Sequence, residues 1–194
     1  QKTTVNATLD ATEGLHVSAG VATFADALKV GTGASIYSPS SNILTLGTNS
    51  TEKLRITSAG GFSFNNGEFV ERVKISGTAL NSDQVCDLDD GMVHYRTANL
   101  GGSGGTSLDL TSSVGISTEM ATGDMMSFTL IHAVNATGNY VDHVNIDGYT
   151  ITENWVGGSA PSAGGGSGVD IYTFNIFKKA SGTGDTGFTV IGNQ

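Results

Sequence analysis

Between residues 15 and 64 every run of alternating apolar and polar side chains stops within five residues. Residues 15–19 end at Gly20, residues 21–24 follow, and residues 27–30 run into Gly31, Thr32 and Gly33. After a run at 35–37, those at 42–46, 53–57 and 62–64 stop at Gly47, at Gly60 and Gly61, and at Asn65, Asn66 and Gly67. A period of two marks half-buried β-strands, and these are near the short end of strand length. A strand this short buries about two side chains, each contributing roughly 1.5–3 kcal/mol. Ordering each residue costs about 1–2 kcal/mol of backbone entropy. The first 68 residues therefore do not easily close a core alone, because small domains are marginal. Their apolar faces need another copy of the chain, and threefold symmetry suits so narrow a shaft best. The expectation is a fibrous, intertwined β-shaft over residues 1–68.

From Phe69 onwards the strands lengthen and the aromatic residues concentrate. Candidate strands are 69–76, 92–97, 107–112, 125–134, 144–151, 169–178 and 188–191. Met126, Phe128, Leu130, His132 and Val134 share one face of their strand; Tyr172, Phe174 and Ile176 share one face of another. Asp147-Gly148 between two such runs signals a two-residue hairpin turn. Seven strands with turns at fairly regular spacing suggest a sandwich or jelly roll. No segment sustains a helical period. The fold class is thus all-β, a short-strand fibrous shaft (1–68) followed by a β-sandwich or jelly-roll domain (69–194). Two Gly/Ser-rich stretches, 99–106 and 157–168, read as flexible surface loops by composition.

Composition removes other classes. The chain holds 28 Gly, 24 Thr, 20 Ser and 13 Asn, and only 14% of residues are charged. An average globular chain has about 25%. The residues and heptads of a coiled coil are missing, and so is the every-third-residue glycine of collagen. At 38% hydrophobic the chain is not of the charge-rich disordered kind. Net charge is -9, and all but one unit of it falls after Glu68. Lys178-Lys179 is the only adjacent cationic pair, so neither nucleic acid nor an anionic membrane is an expected partner. Apolar runs are far shorter than a membrane span. Cys86 stands alone, which excludes an intrachain disulfide and a cysteine-based zinc site; it reads as a small buried apolar side chain. The chain opens at Gln1 without a signal segment and reads as part of a longer polypeptide.

Several motifs carry chemistry on paper and lose it in context. Residues 101–105 match G-x-S-x-G, but a nucleophile elbow needs a strand before and a helix after. Gly182, Gly184 and Gly187 match G-x-G-x-x-G, but the strand-like run from Phe188 replaces the required helix, and a hairpin loop is expected. Asp83, Asp87, Asp89 and Asp90 miss the EF-hand spacing and read as a solvated acidic turn, with cation binding as the alternative. His16, His94, His132 and His143 lack the local spacing of a metal pair, and His132 reads as a hydrogen-bonded core residue. Asp142, Asp147, Glu153 and Asp170 are candidates for paired-carboxylate glycoside hydrolysis, a minor reading. Trp155, the sole tryptophan, reads as buried in the sandwich, with stacking on a sugar as the alternative. No cofactor and no metal is expected.

The segment Thr51, Glu52, Lys53, Leu54, Arg55, Ile56, Thr57, Ser58, Ala59, Gly60 resembles a recurring E-[RK]-L-R-I-T-S-x-G element of bacteriophage tail-fibre proteins. Residues 14–24 look like the same repeats. Residues 144–178, with Asp147-Gly148 and Trp155-Val156-Gly157-Gly158, and the closing residues 188–194 look like the C-terminal domain of virion proteins from marine cyanophages. The resemblance implies a homotrimeric structural virion protein without catalysis. Such a protein belongs to the virion, on the tail or particle surface. Its partners are further copies of itself, other virion proteins, and a host surface glycan or outer-membrane receptor. Alternatives are a capsid decoration, capsid-fibre or baseplate protein, and a polysaccharide-depolymerising tailspike. Loops on a rigid scaffold vary freely, so receptor contact is expected from 99–106, 136–140 and 157–168, at Asn139, Tyr140 and Trp155. The acidic balance favours a neutral sugar, a cationic surface or a bridging cation.

Overall fold

A computed structural model describes residues 27–30, 32–66, 68–80, 84–99 and 104–194. The strands expected at 15–19 and 21–24, Asp83 of the acidic run and the centre of the 99–106 loop lie outside the described residues. The described chain is predominantly β-strand, with single helical turns only. It divides into two compact units between Phe69 and Val70.

In the first unit β1 (Ala27–Val30), β2 (Ala34–Tyr37), β3 (Leu44–Thr48), β4 (Thr51–Ile56) and β5 (Phe62–Phe64) form an antiparallel meander in chain order. Its turns use the residues that tolerate left-handed backbone. Asn49 and Ser50 both have positive φ, 51° and 58°, which suits a two-residue hairpin to the twist of its strands. Side chains directly opposite one another share a face. Leu28 pairs with Ile36, Ile36 with Leu46, Leu46 with Leu54, and Leu54 with Phe64. One apolar row therefore crosses all five strands. A second row, Leu44, Ile56 and Phe62, lies two residues along on the same face. The face stays largely exposed: Phe62 is 69% exposed and Phe64 55%, although the Phe69 ring meets Phe64 edge-on at 5.3 Å.

The opposite face is polar, and a bulge organises it. The β3–β4 register shifts between Leu46 and Gly47, so that Leu46 faces Leu54 while Gly47 faces Glu52. Lys53 is the extra residue, and a bulge re-aims the side chain next to it. Glu52 is thereby turned away from Leu54 onto the face of Arg55, whose Nη2 lies 2.7 Å from Oε2. Asn65 donates to the other carboxylate oxygen. The Arg55 hydrogen bond, aided by Asn65, holds the Glu52 carboxyl below its ordinary range.

The second unit has two sheets and one core. Its strands are β6 (Val73–Ser76), β7 (Gln84–Asp87), β8 (Val93–Asn99), β9 (Gly104–Thr111), β10 (Met125–Val134), β11 (Asn139–Ile146), β12 (Tyr149–Thr150), β13 (Asn154–Trp155), β14 (Gly168–Lys178) and β15 (Phe188–Asn193). From β6 to β11 each successive strand enters the other sheet. Neighbours within a sheet are consequently parallel: β6, β8 and β10 in one, β7, β9 and β11 in the other. A parallel pair needs a crossover, and here the crossover is a strand of the facing sheet. This differs from the antiparallel order of a jelly roll. The six-stranded sheet ends in the hairpin β14–β15 and the short β13, in the order β13-β15-β14-β10-β8-β6; the four-stranded sheet runs β12-β11-β9-β7.

Alternation places the core. Phe128 and Leu130 of β10, Tyr172, Phe174 and Ile176 of β14, Leu108 and Leu110 of β9, and Val141, Val144 and Ile146 of β11 pack in one buried cluster. The Tyr172 hydroxyl accepts from the Val141 amide at 3.2 Å, joining the sheets. Cys86 is buried in the same cluster, and burial pushes its thiol up to about 11. The expected hairpin forms: Asp147 (φ 52°) and Gly148 (φ 75°) join β11 to β12. Asp147 also accepts from the Ile116 amide at 3.0 Å and the Ser117 amide at 2.8 Å. It caps the helical turn Ile116–Glu119 from outside, because Gly115 before that turn has no side chain to do so. The three glycines at 182–187 lie in the β14–β15 hairpin connection, followed directly by β15.

His132 is buried and its ring stacks on Tyr172 at 5.4 Å. His94 is buried with its ring edge on Phe128 at 5.2 Å. Burial depresses both imidazoles below their ordinary value. Above about pH 6.5 both are neutral folded or unfolded, and neither affects stability. Below that, the unfolded chain takes up protons that the folded chain refuses, so stability falls with pH. We expect a urea midpoint that holds above about pH 7 and drops between about pH 6.5 and 5. His132→Phe, which keeps a ring on Tyr172, should remove part of the drop. A midpoint unchanged down to about pH 5 would contradict the burial of both rings.

Candidate functional site

Beyond β12, the β11 edge has no strand partner among the described residues, and the chain leaving β12 completes it with a side chain instead. Glu153 accepts from the Val144 amide, and its Oε1 lies 2.8 Å from His143 Nδ1. Asp185, in the β14–β15 connection, fixes the same segment by accepting from the Thr152 amide and hydroxyl, both at 2.7 Å. Those two bonds hold the Asp185 carboxyl below its ordinary range. The segment then crosses to the other sheet, where Asn154 and Trp155 pair in parallel with Ile191 and Gly192.

Gly192 is required there. A Cβ at that position would lie 2.9 Å from two carbons of the Trp155 ring, so the indole lies directly on bare backbone. The Phe174 ring meets it edge-on at 5.6 Å. The turn after it is closed by Val156 donating to Gly192 at 2.8 Å and Gly158 donating to Trp155 at 2.9 Å. Gly157 and Gly158 supply the left-handed backbone that turn needs, at φ 91° and 88°.

An open groove of about 390 Å³ runs beside this turn, lined by Asp142, Glu153, Asn154, Trp155 and Ser159 among others. Asp142 reaches it from the β11 bulge between Val141 and His143. Its carboxylate lies flat over Gly105, occupying the place a Cβ there would take. The groove thus offers one indole, two carboxylates, an amide and hydroxyls, and none of its described lining residues is cationic. Such a surface accepts hydrogen bonds and repels anions. Among the described residues no group of three or more His, Cys, Asp and Glu is arranged to hold a metal ion, and no helix is long and apolar enough to cross a membrane.

The structure separates the residues that the sequence grouped. Of the expected contact residues, Trp155 lines the groove and is half-buried, Tyr140 is half-buried on β11 outside it, and Asn139 is buried at 4% exposure. Of the four candidate acids, Asp142 and Glu153 meet in the groove. Asp147 is committed to the Ile116–Glu119 turn, and Asp170 is buried against the 157–168 loop. That loop is tied down in its middle. Gly164 donates to Thr137 at 2.8 Å, and Gly165 donates to Asp170 at 3.0 Å. Its glycines serve close approach as well as freedom: a Cβ on Gly164 would lie 2.2 Å from the Asn139 carbonyl oxygen. Comparisons with protein-family models, with curated proteins and with solved structures find no match for this chain.

Gly164→Ala tests the tied loop. The clash is with backbone, so the loop must lift, at a cost of about 1–3 kcal/mol. Amide exchange at 164 and 165 should quicken and the urea midpoint fall. Unchanged exchange would mean that the loop is not held at this point.

Proposed function

We propose that this chain is a structural virion protein, a subunit of a homotrimeric phage fibre that contributes to host-cell attachment without catalysis. The observation that carries the reading is the half-exposed apolar face of β1–β5. Eight side chains, Leu28, Ile36, Leu44, Leu46, Leu54, Ile56, Phe62 and Phe64, share it. Completing the burial of a half-exposed Leu or Phe contributes about 1 kcal/mol. The face is therefore worth roughly 8 kcal/mol per chain before ordering and association costs. Sister chains meeting on this face supply the missing half of the core.

The second unit supports the same reading by itself. On the outer face of its larger sheet Ile75, Tyr95, Ile131 and Ile171 form one row across four strands. Ile75 is 66% exposed and Ile171 51%. The neighbouring outward positions are Val73, Val93, Thr129 and Thr173, none of them charged. Copies of a chain carrying net charge -9 can approach on such a face without opposing like charges. Other virion proteins and a host glycan or outer-membrane receptor are the remaining partners of this reading, and the position of the fibre is the tail or particle surface.

Sedimentation equilibrium of the full chain tests it. The expected result is a trimer mass that persists on dilution to about micromolar concentration. A monomer mass at that concentration, with native circular dichroism, would overturn the proposal.

A further inference from the structure

We propose that the groove beside Trp155 binds a neutral saccharide, one or two hexose rings of a longer glycan. The proposal takes its setting from the attachment reading above and stands on the groove's own chemistry. A volume of about 390 Å³ lies in the range of roughly 300–1,000 Å³ where small-molecule sites occur. An indole offers a flat apolar surface, which matches the C–H face of a sugar ring; the Trp155 Nε1 is itself buried, so the ring contributes its face and not its polar edge. Gly192 beneath and Phe174 at the edge hold that indole in one orientation, so little freedom is lost on binding.

The acceptors then choose among ligands. Sugar hydroxyls are donors, and hydroxyl-to-carboxylate hydrogen bonds are among the short, strong ones. Asp142 supplies the carboxylate. It lies over Gly105, and no hydrogen bond or ion pair with another described side chain occupies it. Glu153 is different: its oxygens are taken by Val144 and His143, so it fixes the groove wall. Ser159 is exposed and presents a hydroxyl, and exposed Asn154, whose amide nitrogen donates to the Val190 carbonyl at 3.5 Å, presents its carbonyl oxygen. Phosphate, sulfate and uronate ligands meet two carboxylates and no cation. A polyamine would find one available carboxylate, not the several that multivalent cations need. If the chain is trimeric, three copies multiply a weak single contact.

Trp155 is the only tryptophan, so its emission reports this groove directly. The full chain is titrated with glucose, galactose and mannose oligomers of about four to six units, with oligogalacturonate as the anionic comparator and spermine as the cationic one. We expect at least one neutral series to shift the emission saturably at millimolar concentration or below, with no shift from the two comparators. Asp142→Asn should weaken that binding about tenfold. Ser159→Tyr, placed at an exposed rim position, should block it while leaving the fold intact. The proposal is overturned if no neutral oligomer shifts the emission, if only a charged comparator does, or if Ser159→Tyr binds as the parent does. Sedimentation of the same samples separates the two readings. A trimer that binds none of the neutral oligomers removes the groove assignment and leaves the fibre, whereas a monomer that binds removes the fibre and leaves the groove.

Discussion

An apolar sheet face needs a cover, and a single sheet can cover neither of its own. The second unit meets this constraint internally. Its chain changes sheet at every step from β6 to β11, so both inner faces grow together and close on one another. Phe128, Phe174 and Leu110 reach zero exposure as a result. The described strands of the first unit keep to one sheet. The same alternation that fills a core in the second unit leaves a row of leucine, isoleucine and phenylalanine facing outward in the first.

A one-residue irregularity makes that sheet two-faced. Without the bulge at Lys53, Glu52 would follow the parity of Leu54 and Ile56 onto the apolar side. With it, Glu52 faces Arg55 and Asn65, and the apolar face carries no carboxylate. The E-K-L-R-I-T order is thus intelligible as a device: a redirected acid, a paired cation, two apolar positions and a turn. In the second unit another bulge, at Asp142, sets a carboxylate over Gly105. The crossing segment 151–160 brings Trp155 to the same groove. Both candidate recognition features come from places where strand pairing is interrupted.

What the sequence made legible follows from what alternation encodes. Period two assigns faces, and β10 was readable from Met125 to Val134 to the residue. Asp147-Gly148 encodes a turn by its backbone preferences, and the turn is there. Alternation says nothing of partners, so the parallel pairing of β6, β8 and β10 was not readable. β7 was missed because Gln84 and Asp87 place polar residues at both of its ends. Asn139 looked like a loop-tip residue, yet it begins β11 and turns inward. The glycines of 157–168 suggested slack, but two of them mark the points where the loop is fastened to Thr137 and Asp170. The groove joins Asp142 to a segment ten and more residues away through Glu153 and the β11 edge, a relation that exists only once the sheets have formed.

The central claim is that sister chains cover the face of β1–β5. A spin label on Leu46→Cys, at the centre of the long apolar row, reads that directly in the full chain, since Cys86 is buried. The account predicts strong spin–spin broadening in fully labelled protein, which disappears when labelled chains are refolded with an excess of unlabelled ones. A mobile, unbroadened spectrum at every labelling ratio would show the face open to water and contradict the account.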